Sequence, residues 1–173
     1  LGVRKSVKRM KEENKNVPIW VDQMLDSGRE TFYDLKNGKR TYYDVVSSSI
    51  KTMSDDPNII NLNLLKSGKN LIKKDWSASL IDLGDQVLNV EFHSALQPTL
   101  NPIDSSMGEI MNDAMDLLDS KKYNALVIGH QGSNFCAGAN LANMIQAIDA
   151  NDFSKINNDL KQFQDLMQRM RFS

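Results

Sequence analysis

The chain has 173 residues, with 21 Lys and Arg against 22 Asp and Glu, for a net charge of −1. With 40% hydrophobic and 25% charged residues it has the balance and the length of a protein that buries a core, which excludes a disordered tail. No basic excess offers a footprint for nucleic acid or an anionic membrane surface, and no apolar run approaches the ~20 residues that span a bilayer.

The first elements follow from spacing. Val3, Val7 and Met10 recur at helical intervals and predict a short amphipathic helix that ends before Pro18. Pro18 suits the first turn of a second helix, and Gly28 can end that helix in a left-handed conformation. Asn37-Gly38 between Phe32-Tyr33 and Tyr42-Tyr43 predicts a hairpin, because a type I′ turn needs positive φ at both central residues. Residues 51–75 read as a linker, with turn formers at Asp55-Asp56-Pro57 and Ser67-Gly68 around an apolar patch from Ile59 to Leu65 that would anchor it.

From Trp76 the pattern tightens. Leu80 to Leu83 predicts a strand, Gly84-Asp85 a turn, and Val87 to Phe92 a second strand. In that strand Leu88, Val90 and Phe92 face one way, while Asn89 and Glu91 face the other. After a loop with Pro98 and Pro102, Asp104 caps a helix whose apolar stripe runs through Met107, Ile110, Met111, Ala114, Leu117 and Leu118. Lys121 and Lys122 stand at its C-terminal end, where the dipole favours cations. Ala125 to Ile128 reads as a strand buried on both faces. A loop from Gly129 to Gly138 leads into a helix with Leu141, Met144, Ile145 and Ile148. A last helix carries Phe153, Ile156, Leu160, Phe163, Met167 and Met170. The order strand, strand, helix, strand, helix, helix is α/β, and no internal repeat is visible.

The chemistry concentrates in the loop Gly129-His130-Gln131-Gly132-Ser133-Asn134-Phe135-Cys136-Ala137-Gly138-Ala139-Asn140-Leu141. It joins a strand to a helix N-terminus, where unpaired N–H groups and the helix dipole can stabilise an anion or a developing oxyanion. A purely structural turn has the same outline. The loop lacks the Gly-x-x-x-x-Gly-Lys-Ser/Thr pattern of a P-loop, and its glycines are wrongly spaced for a dinucleotide fingerprint. Cys136, the single cysteine, permits neither a disulfide framework nor a cysteine zinc site, and no fixed histidine partner makes it a nucleophile. His93 and His130 read as loop histidines bonded to backbone. Scattered carboxylates beside two histidines give no metal spacing, so no metal site is expected. Asp82, Asp85 and Glu91 read as solvent-facing, and Glu109 lies on the polar side of its helix.

The run Lys121 to Ile128, followed by Phe135-Cys136-Ala137-Gly138-Ala139-Asn140-Leu141, resembles the crotonase (enoyl-CoA hydratase/isomerase) superfamily. Val87 to Ser94, with the loop and helix after it, resembles that family's opening strand and CoA-binding loop. Residues 1–50, with Pro18-Ile19-Trp20-Val21, Phe32-Tyr33 and Tyr42-Tyr43, resemble the end of a 3-hydroxyacyl-CoA dehydrogenase helical domain. The resemblance implies the junction of a fused dehydrogenase and hydratase of fatty-acid β-oxidation: a dehydrogenase tail over 1–50, a linker over 51–75, and the first half of a crotonase-like ββα spiral over 76–173. It implies that the N–H of Ala139 is one of two oxyanion donors to an acyl-CoA thioester and that Gly138 allows the close approach. Ala137, Asn140, Leu141 and Ser94 would then line the CoA site.

Asn140 departs from the family's usual Asp, and the loop from Ala95 to Pro102 carries no Lys or Arg for the CoA phosphates. The second donor and the acid/base glutamates would fall beyond Ser173, so the segment is expected to be inactive alone. No cofactor is expected on it: NAD would serve the upstream dehydrogenase, and CoA would arrive as part of the substrate. The partners implied are acyl-CoA and the remainder of a longer, cytoplasmic polypeptide, to which a homo-oligomeric parent is no obstacle. The start at Leu1-Gly2-Val3 and the end just after a helical pattern read the same way. The alternative is a non-catalytic docking, oligomerisation or CoA-binding module.

Overall fold

Val3 and Val7 do share one side of a helix, α1 (Val3–Glu12), in the computed structural model, which describes residues 2–173 apart from the side chain of Lys36. The chain divides into two units, Leu1–Lys69 and Asn70–Ser173. In the first, Pro18 at φ −60° caps α2 (Ile19–Asp26) one position ahead of its first turn, and Gly28 leaves that helix at φ +84°. Val7, Val21, Met24, Leu25 and Tyr43 form this unit's core.

The hairpin has the expected turn: β1 (Tyr33–Lys36) and β2 (Lys39–Asp44) are joined through Asn37 at φ 52° and Gly38 at φ 72°. A third antiparallel strand, β3 (Ser49–Thr52), extends the sheet in the order β1-β2-β3. The Asp44 carboxylate fixes the β2–β3 turn by accepting from the Ser47 hydroxyl and from Lys51 Nζ at 2.5 Å.

The stretch 51–75, expected as a linker, carries regular structure. It holds the end of β3, then α3 (Leu62–Ser67), then β4 (Leu71–Lys74). Asn61 caps α3 by accepting from the N–H groups of Asn63 and Leu64, and Leu62 is buried, so the apolar patch folds locally. The boundary between units falls after Lys69, and β4 belongs to the second unit.

That unit is built on β4, β5 (Ala78–Gly84), β6 (Val87–Phe92) and β7 (Ala125–Gly129), hydrogen-bonded in that order. β4, β5 and β6 are antiparallel neighbours, whereas β6 and β7 are parallel and need a crossover, supplied by α4 (Ser105–Asp119). Asp104 caps α4, accepting the Met107 N–H at 3.1 Å. Met107, Ile110, Met111, Ala114 and Met115 of α4 pack on Leu80, Leu88, Val90 and Phe92, with Leu166 contributed by the last helix. α5 (Leu141–Asp149) and α6 (Phe153–Arg171) complete the unit. Arg169 of α6 bonds Asp116 and Asp119 of α4. The described residues thus form a mixed α/β structure with two sheets and six helices, none long and apolar enough to cross a membrane.

Two sequence expectations are corrected. β7 is not buried on both faces: it is an edge strand, and Val127, on the side away from α4, is 45% exposed. A continuous apolar run signals a strand without telling how many of its faces are covered. Glu91 is not solvent-facing but only 4% exposed, and Asn89 beside it only 2%. Alternation distinguished the two faces of β6 correctly, yet both faces are buried.

These placements have measurable consequences. Ile110→Ala should lower stability by roughly 2–5 kcal/mol in urea unfolding, because it opens a cavity under β6. Val127→Ala, on the open face of β7, should cost under about 1 kcal/mol. The Lys51 ammonium, and after it the Ser47 hydroxyl, lower the Asp44 pKa from 3.8 to about 2. A depressed carboxylate pKa stabilises the fold above the ordinary value, and that contribution is lost as pH falls toward 2. Carboxyl chemical shifts followed by NMR between neutral and acid pH should show Asp44 titrating near pH 2.

Candidate functional site

Parallel pairing of β6 with β7 sends the chain out of both strands at the same end of the sheet, Glu91 lying opposite Gly129. The loops that follow, 93–104 and 130–140, therefore run side by side. Ala137 N donates to Leu100 O at 2.8 Å, Ile103 N to Gly138 O at 2.8 Å, and Asn140 N to Ile103 O at 3.0 Å. These bonds form a parallel bridge between Ile103 and Ala139. Because Ile103 bonds the residues on either side of Ala139, Ala139's own N–H and C=O point away from the 100–103 segment. Among the described residues no hydrogen bond uses the Ala139 N–H. Ala139 is exposed, and α5 begins two residues later with Asn140 as its cap, the amide side chain accepting from Ala142 N at 3.1 Å. A free backbone donor thus stands at the positive end of a helix.

Gly138, at φ +92°, makes the turn into this donor, and a side chain added there would meet nothing within 4 Å. The space in front of it is open. Gly138, Ala139 and Asn140 are among the residues lining a groove of about 580 Å³ between α4, α5 and α6. Met111, Met144, Ala147, Leu160, Phe163 and Leu166 give it an apolar lining, to which Glu109, Lys155 and Asp159 add charged groups.

The remaining sequence candidates fall into different roles. Leu141 is exposed beside the donor, whereas the Ala137 N–H is already bonded to Leu100 O. Ser94 is buried: its N–H donates to Asn101 Oδ1 at 2.7 Å and its hydroxyl accepts from Gln97 N. It holds its loop together. Cys136 Sγ accepts from Gly138 N at 3.1 Å, so the thiol braces the same turn. His93 Nε2 pairs with the Ser79 hydroxyl at 2.6 Å. The His130 ring is not bonded to backbone: it lies against Gly132, and among the described residues both its ring nitrogens are buried without a partner. No group of three or more His, Cys, Asp or Glu among the described residues could hold a metal ion.

Sequence reasoning passed over Asn101. It is fully buried at φ 51°, and its side chain donates to Phe135 O at 2.7 Å while accepting from Ser94 N. The one signal was its place before Pro102, since Asn tolerates the left-handed region and Asn-Pro marks a turn. Asn134, whose side chain donates to Thr99 O at 2.7 Å, ties the two loops a second time.

The whole chain is 34% identical to a probable 3-hydroxyacyl-CoA dehydrogenase of Bacillus subtilis (strain 168). The chain spans about a fifth (21%) of that relative's length. No family model and no solved structure matches it.

Packing at the strand ends yields a prediction. A Cβ at Gly129 would lie 2.7 Å from Asn89 Oδ1, and Asn89 is buried with little room to turn. Gly129→Ala should therefore cost roughly 1–3 kcal/mol in denaturant unfolding and loosen the 130–138 loop. Amide hydrogen exchange at Ala137 and Asn140 should quicken with it.

Proposed function

We propose that the chain is a segment of a fatty-acid β-oxidation enzyme that joins 3-hydroxyacyl-CoA dehydrogenase to enoyl-CoA hydratase, and that residues 76–173 supply half of the hydratase's acyl-CoA site. The likeness to a protein named as a dehydrogenase, running through both units, supports the fatty-acid oxidation part. One observation carries the hydratase part: the unused N–H of Ala139, aimed away from its bridge at the start of α5.

Addition of water to an enoyl thioester passes through an enolate-like state, with negative charge gathering on the thioester oxygen. A fixed N–H aimed at that oxygen bonds the charged state more strongly than the ground state, and this difference is what accelerates the step. Gly138, without a side chain, lets the thioester reach the donor. The apolar groove receives the acyl chain, with Ala137, Asn140, Leu141 and the Ser94 loop flanking CoA. The second donor and the carboxylates that move the proton belong to the remainder of the polypeptide. NAD serves the dehydrogenase part, and the segment itself holds no cofactor.

Proline at position 139 removes the N–H and nothing that the bridge uses. In the complete polypeptide that carries the segment, Ala139→Pro should lower kcat for crotonyl-CoA hydration by roughly 10²–10³-fold with a small change in KM. The dehydrogenase rate on 3-hydroxybutyryl-CoA, measured with NAD in the same preparation, should stay unchanged. An undiminished hydration rate in a folded variant would rule out the oxyanion role.

A further inference from the structure

We propose that Asn101 is the positioning residue of this site: its side-chain amide sets where the Ala139 N–H stands. The inference rests on the oxyanion reading above and adds a residue to it. The 93–104 loop carries no regular element, so its shape depends on the bonds it makes. Asn101 makes the central ones. Its Oδ1 accepts from Ser94 N at 2.7 Å, at the exit from β6, and its Nδ2 donates to Phe135 O at 2.7 Å, in the loop from β7. Its own N–H closes the loop onto Gln97 O at 2.8 Å.

The neighbours on either side then carry the consequence. Leu100 O accepts from Ala137 N, and Ile103 brackets Ala139 through Gly138 O and Asn140 N. The donor's position is thus copied from the 100–103 segment, and that segment is pinned at Asn101. The residue's φ of 51° matters equally, because the left-handed turn aligns 100–103 alongside 137–140 before Pro102 stiffens the chain. Asn is the side chain that accepts this backbone conformation while offering both an acceptor and a donor. Asn101 is buried by its own loops, so it acts through Ala139 and does not touch substrate.

Asn101→Asp in the complete polypeptide tests this. The carboxylate still accepts from Ser94 N but cannot donate to Phe135 O. A donor displaced by a fraction of an ångström should lower kcat for crotonyl-CoA roughly 10- to 100-fold, with KM within about twofold. Isotope-edited infrared spectra of bound acyl-CoA should show the thioester carbonyl stretch moving back toward its frequency in water, a change that loss of stability alone does not produce. Asn101→Ser, smaller and uncharged, should move both readouts the same way and serves if the Asp variant does not fold.

The decisive comparison is the double variant with Ala139→Pro. If Asn101 acts only through the Ala139 N–H, the pair loses no more than Ala139→Pro alone. Losses that multiply, or an unmoved carbonyl band in folded Asn101 variants, would overturn the assignment and leave the oxyanion role of Ala139 standing. No effect of Ala139→Pro by itself would remove both.

Discussion

The parallel pairing of β6 with β7 is the constraint on which the second unit depends. An antiparallel pair could be closed by a tight turn, but a parallel pair forces the chain to travel the length of the sheet and return. α4 makes that return, and its buried stripe fills one face of the sheet with Met107, Ile110, Met111, Ala114 and Met115. Both strands then release their loops at one end, where the Ile103–Ala139 bridge becomes possible. Hydrophobic burial thereby fixes the geometry of the polar loops at the strand ends. The link runs from packing to backbone direction to donor orientation.

What the pairing leaves open is equally physical. Among the described residues β7 has a partner on one side only, and its five residues carry neither a charge nor a proline to discourage another strand. Leu141, Ile145 and Ile148 of α5 stand exposed at helical spacing, and Phe153, Leu160 and Phe163 of α6 are exposed as well. Exposure of this kind is costly over a contiguous area. It agrees with the proposed reading, in which more of the same polypeptide covers the second unit.

The features legible in the sequence were those decided locally. Asn37-Gly38 had to turn because its φ angles are available to few residues, and Asp104 and Asn140 had to cap because each is followed by N–H groups without partners. The glycine loop could be located because strand, small residues and helix start are consecutive, whereas the donor role of Ala139 came only from the family resemblance. Burial of Glu91 and Asn89 could not be read, since alternation separates two faces and says nothing of what lies against them. β4 was invisible because Leu71-Ile72-Lys73-Lys74 does not alternate and its ladder with β5 shifts register between Leu71 and Lys73. The ring of His130, expected on backbone, was instead seated on Gly132, two positions along its own loop, which no residue pattern specifies.

Asn101 belongs with the features that a sequence hides, and the reason bears on how such sites are built. A loop that carries a donor must present an N–H without a partner, yet an N–H is reliably placed only when its neighbours are bonded. The bridge resolves this by bonding Gly138 O and Asn140 N while leaving the residue between them free. The requirement then passes to the segment that supplies the bonds, which must be rigid without a helix or strand to make it so. A buried side-chain amide that accepts from one loop and donates to the other meets that requirement with a single residue. The donor itself can be any residue small enough to let a ligand approach, and its identity says little. On the proposed reading the specific chemistry lies one layer back, in the residue that holds the frame.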